Sequence, residues 1–428
     1  MGHDVKHDTT AASKPLIHRR CMGRGSVGPG IRRGARPITL LVAAAALVSS
    51  CSAEPPGATN IGVGGGPSIV TATVVGRPSS NPVGPIERPE SSAPSSSEAP
   101  TSSTTTALAP TSTSSVPEPT VADDALASET ASADPAAERG RLVINAVGDV
   151  NVDPDYIPAL ATNGYAHTLD GMGGLFLEDD LTVINLECPA SEIGVIVPKE
   201  FNFRCDVDAL PVIRDLGVDV ANQGNNHSLD YGPDALLDSI ANLWAADIAP
   251  VGAGANASEA HQAALFERNG WTIAVLGFGG VVPAANWIAT DGRPGMADGD
   301  TVDTMVAAVA AAAGQADLVV VTIHWGKELQ SGPPADDVTR ARAMIEAGAD
   351  MIFGHHPHRL NALETIDGVP VAWSLGNFVW PRLSAAGADT AVAQVIVEPD
   401  GTITACLLEV TIVSHGHPTL DDPAHRTC

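Results

Sequence analysis

Positive charge, long hydrophobic runs and closely spaced cysteines are all scarce in this chain of 428 residues. Lys and Arg number 23 against 50 Asp and Glu, for a net charge of −27. Eight of those bases (Lys6, Lys14, Arg19, Arg20, Arg24, Arg32, Arg33 and Arg36) fall in the first fifty residues against Asp4 and Asp8. That is a local excess of six positive charges, so the remainder carries −33. An acidic body without a basic stripe cannot grip a phosphate backbone, which excludes a nucleic-acid binder. The apolar run from Ile38 to Val48 falls short of the roughly 20 residues a membrane-spanning helix needs, but it fits the core of a signal peptide. Among the six cysteines, Cys188 and Cys205 lack the close C-x-x-C spacing of a structural zinc site.

The basic end followed by that apolar run reads as an export signal over 1–50. It ends in Val48-Ser49-Ser50-Cys51, which resembles the lipobox of bacterial lipoproteins and implies lipidation at Cys51 and a cell-membrane lipoprotein on the extracytoplasmic face. An ordinary secretory signal and an uncleaved anchor are the alternatives. Residues 51–138 are dominated by Ser, Thr, Pro, Ala and Gly and cannot bury enough apolar surface to offset backbone ordering, so they read as a disordered tether. A glycosylated stalk fits the same composition. Outside the cytoplasm the remaining Cys188, Cys205, Cys406 and Cys428 can oxidise in three connectivities. Short loops favour Cys188 with Cys205 and Cys406 with Cys428.

Regular structure is expected over 139–428. RLVINAVGDV, LTVINLE, GVDVANQGNNH, TIAVLGFGG, DLVVVTIHWG, DMIFGHHPH and VPVAWSLGNF are apolar strand candidates. They alternate with helical stretches such as GPDALLDSIANLWAADI, TVDTMVAAVAAAAGQA and DVTRARAMIEAG. That alternation predicts an α/β fold with a sheet buried on both faces. AVAQVIVEP and ITACLLEVTIV follow, joined at Pro399-Asp400-Gly401 as a hairpin.

Nearly every strand ends in residues able to hold a metal: Asp149 with Asn151 beyond it, Glu187, Asn226-His227, His324, and His355 to His358. In open α/β sheets ligands bind beyond the carboxyl ends of strands, so these residues can converge. Gly-Asp after a strand is by itself a common turn, and a lone His324 would more often be a core residue. The histidines of Gly354-His355-His356-Pro357-His358 are harder to dismiss, because in an extended loop His356 and His358 point the same way and can serve an ion pair. Carboxylate, amide and imidazole donors without thiolate suit Zn, Mn or Fe. Two such ions roughly 3.5–4 Å apart polarise a phosphoryl group, which points to hydrolysis.

The ordered strings VGDV, INLE, FNFRC, NQGNNHSLDYG, HWGKE, GHHPH and SLGNF resemble the CapA family of poly-γ-glutamate capsule synthesis proteins, itself similar to a divergent branch of the calcineurin-like metallophosphoesterases. The resemblance implies a four-layer αββα sandwich over 139–428. It implies a divalent metal centre, a pair of ions held by Asp149, Asn151, Glu187, Asn226, His324, His356 and His358, with Asp149 and His227 in catalytic roles. Asn151 stands where the broader superfamily has the histidine of D-x-H, and Glu187 where it usually has Asp. Arg204, inside FNFRC, and Lys327 are candidates for holding an anionic substrate; Lys199 is a weaker one. The implied setting is synthesis, export or anchoring of a capsular polymer, with a phosphoester or anionic polymer as substrate, a capsule synthase complex as partner, and a lipid anchor in the membrane. Two readings follow: a metal-dependent hydrolase, or a non-catalytic accessory protein that binds an anionic polymer or a synthase through the same cleft.

Overall fold

The apolar, β-branched runs fold into two mixed sheets. The computed structural model describes residues 139–428, and residues 70–73 by their backbone. The export signal at 1–50, Cys51 and nearly all of the 51–138 tether lie outside the described residues.

In chain order the strands are β1 (Val70–Thr73), β2 (Leu142–Val150), β3 (Leu181–Leu186), β4 (Val220–Asn222), β5 (Ala249–Val251), β6 (Ala253–Gly254), β7 (Ala264–Arg268), β8 (Trp271–Gly279), β9 (Gly295–Met296), β10 (Leu318–His324), β11 (Met351–His355), β12 (Leu363–Ile366), β13 (Val369–Ala372), β14 (Asn377–Val379), β15 (Asp389–Val397), β16 (Thr402–Ser414) and β17 (His417–Leu420). One sheet runs β1-β16-β15-β2-β3-β4-β5, with β14 also beside β2 and β17 beside β16. The second runs β12-β13-β11-β10-β8-β7. Both are parallel at the centre, through β2 to β5 and through β8, β10, β11 and β13. The hairpin at Pro399-Asp400-Gly401 forms as expected, pairing β15 with β16.

Three buried clusters stack the layers. Ile144, Val183 and Val220 of the first sheet meet Val275, Val320 and Phe353 of the second in one core. The other face of the first sheet, with Ile184 and Ala221, packs on Leu210 and Ile213 of the helix Ala209–Asp215 and on Leu243 of the helix Gly232–Ala245. Val319, Val321 and Ile323 of the second sheet pack on Met305 and Val309 of the helix Val302–Ala313 and on Met344 of the helix Ala335–Ala347. Each such side chain removed from water contributes about 1.5–3 kcal/mol before entropy is counted. The order is therefore helix, sheet, sheet, helix. Both favoured disulfides are present, Cys188–Cys205 and Cys406–Cys428, with Cα atoms 5.5 and 5.7 Å apart.

Two expectations change. VTAT, counted within the disordered tether, forms β1 and pairs with Thr402–Ala405 of β16; β-branched residues suit an edge strand, which covers otherwise open backbone groups. VPVAWSLGNF is not one strand but two, β13 in the second sheet and β14 in the first. The chain crosses between the sheets at Gly376, whose φ of 71° is one that favours glycine.

That crossing depends on a second glycine. A Cβ on Gly148 would lie 2.2 Å from the carbonyl oxygen of Gly376 and 2.8 Å from that of Leu375. With no side chain in the way, Asp149 N donates to Gly376 O at 2.8 Å, which locks β14 against β2. Gly148→Ala is expected to destabilise the domain by about 1–3 kcal/mol, the usual range for overpacking. A denaturant titration measures this, and an unchanged midpoint would contradict the close-approach argument.

Candidate metal centre

Strand direction brings the chemistry together. Asp149 lies near the end of β2, Glu187 follows β3, Asn226 and His227 follow β4, His324 ends β10, and His355 ends β11 with His356 and His358 just beyond. Asp149, Glu187, His324 and His355 are completely buried. His324 Nε2 lies 3.5 Å from Glu187 Oε1, and its Nδ1 lies 4.0 Å from Asp149 Oδ1. His358 reaches both carboxylates, with Nδ1 3.1 Å from Asp149 Oδ2 and Nε2 3.9 Å from Glu187 Oε1. Two triads, Asp149-Glu187-His324 and Glu187-His356-His358, each offer one donor atom per residue within 4.8 Å of the others.

Buried amides hold Asp149 in place. Asn222 Nδ2 donates to Asn185 Oδ1 at 3.0 Å, and Asn185 Nδ2 donates to Asp149 Oδ1 at 2.9 Å. His358 Nδ1 sits 2.8 Å from Asn377 Oδ1, so an N–H there turns Nε2 toward Glu187. An imidazole oriented in this way is the usual arrangement behind a metal ligand. His356 and His358 both have positive φ, 96° and 51°. Such backbone costs about 1–3 kcal/mol per residue and persists where surrounding contacts over-determine it.

The donors present fit a cation. Both oxygens of Glu187, Asn226 Oδ1, His324 Nε2 and His356 Nδ1 are buried with no hydrogen-bond partner. Buried polar atoms are nearly always paired, and of the residues left unpaired here Glu187, His324 and His356 belong to the two triads. Oxygen and imidazole donors of this kind suit Zn, Mn or Fe.

The electrostatics describe the centre without an ion. Burial works against the charge on Asp149, but the hydrogen bond and charge of His358 hold its carboxyl below the ordinary value. Burial, reinforced by the Asp149 charge, pushes Glu187 well above its own. Burial and the neighbouring imidazoles push His324 well down, and burial with the His358 charge takes His356 to about 4. His358 is raised to about 9, because the Glu187 charge and the Asp149 hydrogen bond outweigh its burial. A proton on His358 thus stands where an ion's charge would be.

His227 is set apart. Its Nδ1 is 2.6 Å from Asp230 Oδ2, its Nε2 is 4.0 Å from Glu187 Oε1, and Phe203 stacks on the ring at 4.2 Å. Asp230 also accepts from Lys199 Nζ at 2.6 Å. The sequence reading passed over Asp230, although its position three residues after His227 on a turn was the available signal. His355, read from the sequence among the strand-end donors, has its Nε2 3.0 Å from Thr322 Oγ1; Arg359 and Trp380, which line the cavity above the triads, carry no such signal.

Three expected site residues stand elsewhere or point away. Asn151 turns its Oδ1 to the backbone N–H of Asp153 at 2.9 Å, leaving Nδ2, a donor, unpartnered. Arg204 donates to the carbonyls of Glu192 and Ile193 and lies 3.6 Å over the Tyr231 ring, so its guanidinium is occupied by structure. It lines a neighbouring cavity with Asp153, Asp155 and Asp206 rather than the one above the metal triads. Lys327 is exposed and lines neither cavity. Lys199 is at the site, but Asp230 neutralises it.

Residues 143–382 match the family described as Bacterial capsule synthesis protein PGA_cap. The chain is 35% identical over 205 residues to the PGA biosynthesis protein CapA of Bacillus subtilis (strain 168), covering 48% of this chain and 53% of that protein. It is 34% identical over 208 residues to the capsule biosynthesis protein CapA of Bacillus anthracis, covering 48% and 50%. A probable polyglutamine synthesis accessory protein of Mycobacterium tuberculosis is 33% identical over 211 residues, covering 47% and 55%. The chain spans about half the length of the curated relatives it matches. Among solved structures, the NAD nucleotidase of Haemophilus influenzae is similar with a TM-score of 0.40 at 13% identity, over 64% of this chain and 50% of that one.

An ion that takes His358 Nε2 must displace the proton held there up to about pH 9. Binding at pH 7.5 is therefore expected to release about one proton or more, and apparent affinity to fall as pH drops below 9. Calorimetry of Mn2+ binding in two buffers of different ionisation enthalpy measures the release. Binding without proton release would show that His358 is not a ligand.

Proposed function

The chain belongs to the bacterial capsule synthesis protein family, and from that premise we propose that it acts in capsular polymer synthesis or export, of the poly-γ-glutamate type, as a metal-dependent phosphoester hydrolase anchored at the cell surface. The observation that carries the hydrolytic part is the buried Glu187 carboxylate, both oxygens partnerless, facing His324 and His358. In this reading the αββα layers are of the metallophosphoesterase type, and Asp149, Glu187, Asn226, His324, His356 and His358 hold a pair of divalent ions. Held there, such ions would supply Lewis acidity toward a phosphoryl oxygen and lower the pKa of water.

The protein's own groups do the rest. Glu187, common to both triads, joins the two halves of the centre, and Asn185 fixes Asp149 beside it. His227 is the general acid in its imidazolium form: Asp230 accepts from Nδ1–H, which turns Nε2–H toward the reacting centre to protonate a leaving oxygen; burial works against that charge and the Asp230 carboxylate favours it. Phe203, stacked on His227, and Trp380, 4.7 Å from the His358 ring, shield the centre from water. A capsule synthase complex and the growing anionic polymer are the partners in this setting.

The non-catalytic accessory reading has one observation in its favour, the absence of an imidazole at Asn151. The two separate by assay of the Mn2+-loaded full chain on bis(p-nitrophenyl) phosphate. Hydrolysis is expected; His227→Ala, with metal content unchanged, should lower kcat by about 100-fold or more on an alkyl phosphodiester, whose leaving oxygen needs a proton, and far less on the p-nitrophenyl ester, and His356→Ala should lose metal as well as activity. Metal-loaded protein inert toward this and other generic esters would leave only the accessory reading.

Surface anchoring is supported by the apolar run ending at Val48-Ser49-Ser50-Cys51. Cys51→Ser is expected to abolish labelling by a radioactive or clickable fatty acid in cells. Labelling that persists in the variant would remove Cys51 as the anchor.

A further inference from the structure

The cavity above the metal triads, about 330 Å3, has two unlike ends. Its floor carries His227, His358 and Asn377. Its mouth carries Phe201, Leu329 and Leu383, which are 58%, 61% and 73% exposed. Large apolar side chains that exposed are few among the described residues, and three of them line this one cavity. They come from three separate stretches of chain, so one amphipathic segment does not account for their meeting. Contiguous exposed apolar surface beside polar groups marks a binding site more often than chance packing.

Charge at the mouth points the same way. Arg359 is the one Lys or Arg among the described residues that line this cavity, its Nη1 donates to the His358 carbonyl at 2.6 Å, and the acidic Glu328 lines the same cavity. A polyanion would meet no cluster of bases here. Phe201, Leu329 and Leu383 likewise offer no side-chain hydrogen bonds to a sugar, a base or a peptide.

We infer that the phosphoester taken by this centre carries a long alkyl chain on its non-reacting side, with the phosphoryl group on the His227–His358 floor and the chain laid across Phe201, Leu329 and Leu383. The inference rests on the phosphoesterase reading of the floor. It makes the capsular polymer itself a poor occupant of the cavity and an amphiphilic phosphate a good one.

Calorimetry with the Mn2+-loaded full chain tests both levels, using inorganic phosphate, ethyl phosphate and dodecyl phosphate, the last kept below its micelle concentration. Phosphate and ethyl phosphate should bind alike. Dodecyl phosphate should bind on the order of 50-fold tighter, which burial of only three methylenes provides. The triple variant Phe201→Ser, Leu329→Ser, Leu383→Ser, altered only at exposed positions, should lose that preference while still binding inorganic phosphate. Equal affinity for ethyl and dodecyl phosphate, or a preference that survives in the variant, would overturn the alkyl site and leave the phosphoesterase reading intact. If inorganic phosphate itself fails to bind, the reading of the floor is wrong and the alkyl site falls with it.

Discussion

Two carboxylates, Asp149 and Glu187, are buried to zero exposure between the carboxyl ends of two sheets, and much of the local structure follows from accommodating them. An isolated buried carboxylate is so unfavourable that it neutralises or finds a counter-charge. Without an ion that counter-charge is the proton on His358, held to about pH 9. Glu187 shows the arrangement to be incomplete, since its own proton affinity rises and neither of its oxygens has a partner. A divalent cation resolves the conflict with donors already in place.

The surrounding backbone is shaped to keep those donors close. Gly148 has no room for a side chain because Gly376 passes against it, and Gly376 is where the chain leaves one sheet for the other. That crossing sets Asn377 beside His358. The left-handed backbone at His356 and His358 then aims two imidazoles from one short loop at the same carboxylates. A relay of amides, Asn222 to Asn185 to Asp149, approaches from the opposite sheet. Support of this density is what a metal site needs to hold its ligands in place, and a plain salt-bridge cluster has no use for it.

Much of this was legible in the sequence, and for physical reasons. Strands buried on both faces read as continuous apolar runs, so β2, β3, β8, β10 and β11 were visible, and the metal-competent residues at their ends pointed to one edge of the sheets. The H-x-H spacing pointed to His356 and His358, but the extended loop expected there is absent: both residues have left-handed backbone, and it is this that brings their rings to the carboxylates. What could not be read depends on distant contacts. Whether Asn151 faces the centre depends on the Asp153 amide that captures its Oδ1. Arg204 looked like an anion ligand because its charge is local information, while the carbonyls of Glu192 and Ile193 that occupy it lie 12 and 11 residues earlier in the same long connection, which folds back on itself. Asp230 was passed over because a carboxylate at the start of a helix is ordinary; only the 2.6 Å contact to His227 separates it from a cap. The split of VPVAWSLGNF into two strands of different sheets turns on one glycine, and the pairing of VTAT with β16 on an edge far along the chain.

The hydrolytic role of His227 and the alkyl phosphate site both depend on the cluster being a metal centre. Crystals of the protein soaked in millimolar Mn2+ and measured near the manganese absorption edge test that directly. The account predicts anomalous peaks among Asp149, Glu187, His324, His356 and His358. Soaked crystals that diffract well and show no anomalous density there would contradict it.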